Sequence, residues 1–199
     1  MTTTINSLKS YKTPLRYPGG KSRACKKMEP YIPDLRDYEV YYEPFLGGGS
    51  VALHITKKYP KLKIVVNDLY EPLYNFWLQL QVNGDYVHSE LQQLKSRFPD
   101  RASARGLFED AKEKLYDLDI VDKDRAVCFY IINKCSFSGL TESSSFSEQA
   151  SDANFSMRGI DKLPVYSKLI EDWYITNVDY RHLLGDNENI LFYLDTAYD

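Results

Sequence analysis

This sequence of 199 residues has few of the residues that mark disulfide-rich or metal-binding domains. Its three cysteines, Cys25, Cys128 and Cys135, form no CxxC pair, and only three histidines occur. We therefore expect reduced thiols rather than a disulfide framework or a structural zinc site. The sequence also lacks any apolar run near the roughly 20 residues that a membrane-spanning helix needs. These absences favour a cytoplasmic protein with one hydrophobic core.

The sequence has no strong net charge, at −3, but its charges are unevenly distributed. Residues 1–28 contain seven basic residues and no acidic one, whereas the remainder carries 18 basic against 28 acidic residues. The overall balance argues against a protein that coats nucleic acid nonspecifically. The basic segment is compatible with contacts to phosphate groups, and a solvated surface is the plainer interpretation.

The hydrophobic pattern predicts a parallel α/β sheet. Strands at 40–45 and 63–67, followed by helices at 50–59 and 70–82, form a βαβα opening, which implies right-handed crossovers. The further predicted elements are helices at 85–97, 103–117, 123–135 and 162–172 and strands at 174–177 and 190–194. Residues 136–160 are polar and aperiodic, and we predict a long loop there, which in a compact domain is usually functional or disordered.

A glycine cluster at 47–49 lies between the first predicted strand and its helix. Glycines let the backbone turn tightly and approach a ligand closely. Asp68 follows Gly47 by 21 residues, just after the second strand, where a carboxylate can accept hydrogen bonds from both ribose hydroxyls of an adenosine. Together these features favour nucleoside binding over a purely structural turn.

Two further stretches are weak evidence for a functional site when each is taken alone. Arg16-Tyr-Pro-Gly-Gly-Lys21 has no predicted strand before it, and its simplest interpretation is a type II turn. The stretch Asp195-Thr-Ala-Tyr198 follows an apolar strand. Open α/β sheets form their ligand crevices at such strand ends.

In this order, Arg16–Lys21, Glu43–Gly49 and Asp195–Tyr198 resemble the motifs of the Dam-type (D12) class of DNA adenine N6-methyltransferases. The resemblance implies a Rossmann-like methyltransferase sheet that uses S-adenosylmethionine (SAM), with a helical DNA-recognition insertion. It assigns 1–69 and 174–199 to the SAM-binding and catalytic core and 70–173 to target recognition. About four strands are readable here, fewer than in that family, so we expect the family's C-terminal part to be missing.

The resemblance also implies roles for individual residues. The expected SAM-binding residues are Tyr17, Lys21, Glu43, Phe45, Gly47, Gly49 and Asp68. Tyr17 and Lys21 would contact the methionine portion, with Lys21 pairing with its carboxylate. Asp68 would bind the ribose.

At the catalytic tetrapeptide, the family's Asp and the next carbonyl accept hydrogen bonds from the adenine N6 amino group, and its Tyr stacks on the flipped base. These roles fall on Asp195, Thr196 and Tyr198. The family has Asp-Pro-Pro-Tyr, whereas Thr196 and Ala197 replace both prolines here. Because proline fixes φ near −65°, the turn loses rigidity.

Contacts with double-stranded DNA are expected in the helical region. The candidate residues are Asn133, Lys134, Ser138 and Arg158, with ordinary solvated polar surface as the plainer interpretation. The leading hypothesis is a SAM-dependent enzyme that methylates N6 of adenine in DNA. The alternatives are a catalytically inactive SAM- or DNA-binding remnant or fragment of such an enzyme and, less well matched by the glycine spacing, a nucleotide-dependent oxidoreductase.

Overall fold

The computed structural model describes residues 12–139, 144–185 and 188–196, and all of their side chains except that of Ser138. Its four strands are β1 (Val40–Glu43), β2 (Lys63–Asn67), β3 (Tyr174–Thr176) and β4 (Ile190–Phe192). They form one parallel sheet in the order β3-β2-β1-β4. The predicted mixed α/β fold with a parallel sheet is therefore confirmed.

The order of the strands creates a switch point beside β1. The chain moves outward from β1 to β2 and β3 and then returns to place β4 on the other side of β1. Tyr41 pairs in register with Ile64 of β2 and with Leu191 of β4. In open α/β sheets, the crevice at the carboxyl ends of the strands on either side of such a reversal is where ligands bind.

Helices make up about half of the other residues that the structure describes. Their bounds are α1 Cys25–Met28, α2 Ser50–Lys58, α3 Glu71–Val82, α4 Gly84–Arg97, α5 Arg101–Leu115, α6 Asp122–Cys135, α7 Glu148–Asn154, α8 Met157–Ile160 and α9 Leu163–Leu169. Short 3₁₀ turns occur at Glu29–Tyr31, Leu35–Asp37, Phe137–Gly139 and Tyr180–His182. The predicted helices before residue 136 agree with these bounds to within about two residues.

The centre of the helical region is α6. Every residue from Ala126 to Cys135 is buried, because α3, α4, α5 and α7 all pack against this helix. A helix enclosed on all sides is apolar around most of its circumference. The polar residues Asn133 and Lys134 at its end are therefore enclosed as well, which bears on the site below.

The prediction of one aperiodic loop over 136–160 is wrong for its second half, because α7 and α8 lie within it. Each helix begins after a serine whose side chain accepts a hydrogen bond from the first turn: Ser147 from the Ala150 N–H, and Ser156 from the Gly159 N–H. Serine is a favoured residue at this capping position. The serines that suggested a loop are, at these two positions, helix-start signals.

The structure can be compared with the sequence-based arguments against a membrane-spanning helix, a structural zinc site and a disulfide framework. Among the residues that the structure describes, none of the helices combines the length and the apolar character needed to cross a membrane. Within the same ranges, no three His, Cys, Asp or Glu side chains lie together in a way that would suit a metal ion. The three cysteines are buried and free.

Candidate functional site

A cleft of about 660 Å³ lies at the switch point, within the volume range of small-molecule sites. It is lined by all seven candidate cofactor residues, which are Tyr17, Lys21, Glu43, Phe45, Gly47, Gly49 and Asp68. Asp195 and Thr196 from the end of β4 line it too. The structure thus brings together residues from three stretches that are far apart in the sequence.

The glycine loop is shaped by close packing as well as by its backbone. Gly47 and Gly49 have positive φ angles of 50° and 66°, which residues with a side chain rarely adopt. A Cβ on Gly49 would lie 2.7 Å from the buried ring of Trp77. The Trp77 indole N–H also donates to the Gly47 carbonyl at 3.2 Å. Trp77 is therefore a support of this loop, and no motif in the sequence identified it.

Asp68 fixes the loop from the end of β2. One carboxylate oxygen accepts the Gly47 N–H at 2.8 Å, and the other accepts the Tyr70 N–H at 3.0 Å. Burial raises the pKa of this carboxyl group above its usual value, and the two N–H donors oppose that shift. Each oxygen keeps a second lone pair, so the group can still accept hydroxyl donors from a ligand in the cleft.

Glu43 lies at the end of β1 and is almost completely buried. The Tyr41 hydroxyl donates to one of its oxygens at 2.7 Å. Burial, reinforced by the nearby charge of Asp195, raises the pKa of Glu43 to about 8. The side chain is therefore mostly uncharged at neutral pH, and a cation in the cleft would favour its ionisation.

The stretch Tyr17–Lys21 forms one side of the cleft. The Gly20 N–H donates to the Tyr17 carbonyl at 3.1 Å, and Gly19 has a φ of 72°, which agrees with the predicted type II turn. The Tyr17 ring packs against the glycine loop, where a Cβ on Gly47 would lie 2.8 Å from it. Tyr17 and the glycine loop thus form a close-packed surface on which a flat ligand can lie.

Lys21 and Asp195 form an ion pair across the cleft. The Lys21 ammonium lies 2.7 Å and 3.0 Å from the two carboxylate oxygens of Asp195, and it also donates to the Gly19 carbonyl at 3.2 Å. The Tyr193 hydroxyl is 3.4 Å from Asp195. This pairing joins the first and last motifs. Thr196 lines the cleft and is exposed, and Tyr198 lies outside the described residues.

The candidate DNA contacts lie in different environments. Asn133 and Lys134 are 1% and 8% exposed, so neither presents its side chain at the surface. Arg158 is exposed on α8. Ser138 belongs to the 3₁₀ turn after α6, and its side chain lies outside the described structure.

Lys134 carries a buried amine. Its Nζ donates to the Pro14 carbonyl and lies 5.1 Å from the centre of the Tyr130 ring. Burial, reinforced by the nearby Arg16 guanidinium, lowers the pKa of Lys134 to about 7. In this conformation the amine holds the amino-terminal segment against α6 and does not face solvent.

Asn67, at the end of β2, is a second residue that the sequence did not single out. Its amide nitrogen donates to the Pro44 and Val178 carbonyls at 3.1 Å and 3.0 Å. Its oxygen accepts the Val178 N–H at 2.9 Å and the Thr176 hydroxyl at 2.9 Å. Asn67 thus joins the segments that follow β1 and β3, next to Asp68, which lines the cleft.

A second cleft of about 770 Å³ lies between residues 32–38 and 58–62. None of the candidate residues lines it, so it is separate from the site at the switch point.

Two matches with known proteins bear on the family of this chain. A family model described as D12 class N6 adenine-specific DNA methyltransferase matches residues 17–199. The type II methyltransferase M.MjaIII of Methanocaldococcus jannaschii is 27% identical in an alignment of length 135 that covers 63% of this chain and 46% of that relative. The chain therefore matches somewhat less than half the length of this relative.

Proposed function

This chain belongs to the D12 class of N6 adenine-specific DNA methyltransferases, and from that premise we propose that it takes part in SAM-dependent methylation of adenine N6 in double-stranded DNA. The observation that carries the proposal is the convergence of the three motifs on one cleft at the switch point. Ligand sites of open α/β sheets lie at this position.

Several features of the cleft support the proposal that it binds SAM. Asp68 keeps lone pairs for ribose hydroxyls while its other contacts fix the glycine loop. Gly47, Gly49 and Phe45 would surround the adenosine portion, and Tyr17, Lys21 and Glu43 would bind the methionine portion. Glu43 is mostly neutral in the protein alone, and its ionisation would favour the positively charged ligand. When bound, SAM supplies the electrophilic methyl group.

Asp195 is proposed to orient the adenine that receives the methyl group. Its carboxylate already accepts hydrogen bonds from the Lys21 ammonium, which supports its capacity to bind an N–H donor such as the N6 amino group. The Thr196 carbonyl would accept the second amino hydrogen, and Tyr198 would stack on the base. These contacts aim the nitrogen lone pair at the methyl group, since orientation contributes strongly to rate.

We propose that the helical region 70–173 carries DNA recognition, and that residues 1–69 and 174–199 form the SAM-binding and catalytic part. Arg158 is the described candidate with an exposed side chain, suited to a phosphate contact. Ser138 is the second candidate. We do not assign direct DNA contacts to Asn133 and Lys134, because both are buried.

One observation favours a second candidate function, that of a catalytically inactive SAM- or DNA-binding protein. Thr196 replaces the first proline of the family tetrapeptide, and its side chain is exposed rather than packed. A loosely held carbonyl would reduce the rate, because a displacement of about 1 Å can cost on the order of 100-fold.

The first test is calorimetric titration of SAM into the chain, together with its Asp68→Ala and Asp195→Ala variants. We expect saturable binding by the wild type and by Asp195→Ala, and its loss in Asp68→Ala. Preferential binding of a nicotinamide dinucleotide, or absence of SAM binding by the folded wild type, would contradict the proposal.

The second test measures transfer of labelled methyl groups to duplex DNA, with N6-methyladenine identified after digestion. Transfer by the wild type that disappears in Asp195→Ala supports the enzyme. Binding of SAM and DNA without any transfer would instead support the inactive protein.

A further inference from the structure

The side chain of Asn133 joins two segments of the cleft that are distant in sequence. Its oxygen accepts the Arg16 N–H at 2.9 Å. Its nitrogen donates to the Arg16 carbonyl at 2.7 Å and to the Gly139 carbonyl at 2.9 Å. One buried amide therefore uses its oxygen and both of its N–H groups on main-chain atoms, and both Asn133 and Gly139 line the cleft.

The two joined segments are also in direct contact. Gly139 has a φ of 76°, and a Cβ there would lie 2.6 Å from the Arg16 carbonyl oxygen. The Arg16 guanidinium donates to the Ser136 carbonyl at 2.5 Å. We call this arrangement of Arg16, Asn133, Ser136 and Gly139 the Asn133 clasp.

On one side of the clasp lies the proposed cofactor segment. Arg16 directly precedes Tyr17, whose ring packs on the glycine loop, and lies five residues before Lys21, which pairs with Asp195. A shift of the Arg16 peptide therefore displaces groups proposed to bind SAM. Lys134 and Tyr166 hold residues 12–14 through the carbonyls of Pro14 and Lys12, and Leu15 is buried in the core. The clasp holds the next residue, Arg16, through both its N–H and its carbonyl.

On the other side of the clasp lies the turn Phe137–Gly139, which contains Ser138, a proposed DNA contact. This turn reaches the protein surface, since Phe137 is 69% exposed. A DNA contact with this turn would reach Arg16 through Gly139 and the Asn133 amide, which bonds both residues.

We propose that Asn133 is a positioning residue that couples SAM binding to DNA binding through this clasp, an inference that rests on the proposed function. Coupling between two sites requires a physical connection whose arrangement both ligands favour, and it is reciprocal for binding affinities. Each ligand would order the clasp from its own side, so the second ligand binds to a segment that is already fixed.

The variants are chosen to separate coupling from simple loss of structure. Asn133→Asp keeps an oxygen for the Arg16 N–H but loses both donors and places a negative charge against two carbonyl oxygens. Asn133→Ala loses all three bonds. Asn75→Asp is the matched control, because Asn75 is also a buried asparagine and its amide donates at 2.8 Å to the carbonyl of Asp122, which does not line the cleft.

The first measurement needs no ligand. We expect amide hydrogen exchange at residues 15–17 to accelerate by about five-fold or more in Asn133→Ala, as local opening becomes easier, and to stay unchanged in Asn75→Asp. Unchanged exchange at these residues in both Asn133 variants would overturn the clasp.

The second measurement is the affinity for SAM with and without a short adenine-containing duplex. We expect the duplex to strengthen SAM binding by about five-fold or more in the wild type and Asn75→Asp, and by a factor near one in Asn133→Asp. A variant that is only less stable would bind both ligands more weakly and keep the wild-type ratio, which would overturn the inference.

Failure of the coupling and failure of the proposed function would give different results. A wild type that binds SAM and DNA without mutual effect overturns the coupling and leaves the proposed function intact. A folded wild type that does not bind SAM overturns the proposed function, and the coupling with it.

Discussion

The two ends of the cleft are built differently. At the β2 end, Asp68 accepts two main-chain N–H groups, and Trp77 packs against Gly49 and bonds to Gly47. At the β4 end, Asp195 is 28% exposed and depends on Lys21, which lies 174 residues earlier in the chain. The first end is fixed by main-chain hydrogen bonds and by the packed Trp77 ring, and the second mainly by one long-range ion pair, with the Tyr193 hydroxyl 3.4 Å from Asp195.

This difference separates binding from catalysis within one site. The proposed SAM end is formed by close-packed atoms that allow little adjustment. The proposed adenine end is a partly exposed ion pair, and its Asp195 follows β4, an edge strand that is hydrogen-bonded to β1 alone among the described strands. We therefore expect substitutions at the first end to affect stability and binding, and those at the second to affect mainly the rate and local motion.

The largest effect is expected for Gly49→Ala. The new Cβ would strain a backbone with φ of 66° and overlap the Trp77 ring, which is fully buried and lies 5.8 Å from Trp173. The combined cost is about 2–5 kcal/mol of unfolding free energy, measured by urea denaturation.

Gly106→Ala is the control: a Cβ there meets nothing within 4 Å, so in α5 it should stabilise by up to about 1 kcal/mol. Equal stabilities of the two variants would contradict the packing argument.

The second prediction concerns Glu43→Gln and pH. The unfolded carboxyl ionises near its ordinary pKa of 4.5, whereas the folded one keeps its proton up to about 8. The folded state thus binds more protons between these values, so this group lowers stability as the pH rises through that range. In Glu43→Gln this loss of stability with rising pH should disappear. The slope of unfolding free energy against pH should therefore differ between the wild type and the variant by up to about 1.4 kcal/mol per pH unit.

Urea denaturation between about pH 5 and about pH 8 measures this slope. Glu109→Gln, at an exposed position on α5, serves as the control and should follow the wild type. If the wild type and Glu43→Gln instead gave parallel curves, Glu43 would have to ionise normally in the folded protein.

The arrangement at the β2 end of the cleft was the part of the site that the sequence predicted best. The strand, the glycine cluster and Asp68 are close in sequence, and their spacing alone implies that they meet at one sheet edge. The strand at 63–67 was predicted with the bounds that the structure has. Local sequence patterns are enough to predict a part of the site whose residues are close together in the sequence.

The remaining features depend on contacts that no local pattern contains. Asn133 and Lys134 look like surface residues at the end of a helix, but the helices packed around α6 bury them. Their hydrogen-bond partners are main-chain carbonyls 117 and 120 residues away, at Arg16 and Pro14. The pairing of Lys21 with Asp195 is equally remote. The helices α7 and α8 were missed because their serine caps resemble loop composition.

The third prediction strengthens the weaker end of the cleft. Replacing Thr196 and Ala197 by proline should restrict the turn after Asp195, because each ring fixes φ. We expect the methyl-transfer rate to rise by up to about tenfold, equivalent to about 1.4 kcal/mol of barrier. Thr196→Ala, which adds no restriction, is the control. An unchanged or lower rate in the double variant would mean that the missing prolines do not limit transfer.

The smallest effect on stability is expected for Lys21→Met, which removes the ion pair at the β4 end. Because both partners are about 30% exposed, the loss of unfolding free energy should stay below about 1 kcal/mol. The local effect should be confined to the β4 end of the cleft: amide exchange at residues 193–196 should accelerate by up to about five-fold, and exchange at 45–49 should not change.

As the control, Lys58→Met removes a comparable ion pair with Glu29, 2.7 Å apart and outside this cleft, and it should leave amide exchange in both segments unaffected. Equal acceleration at both ends in Lys21→Met would mean that the two halves of the cleft form one unit, and that the contrast between them has no dynamic consequence.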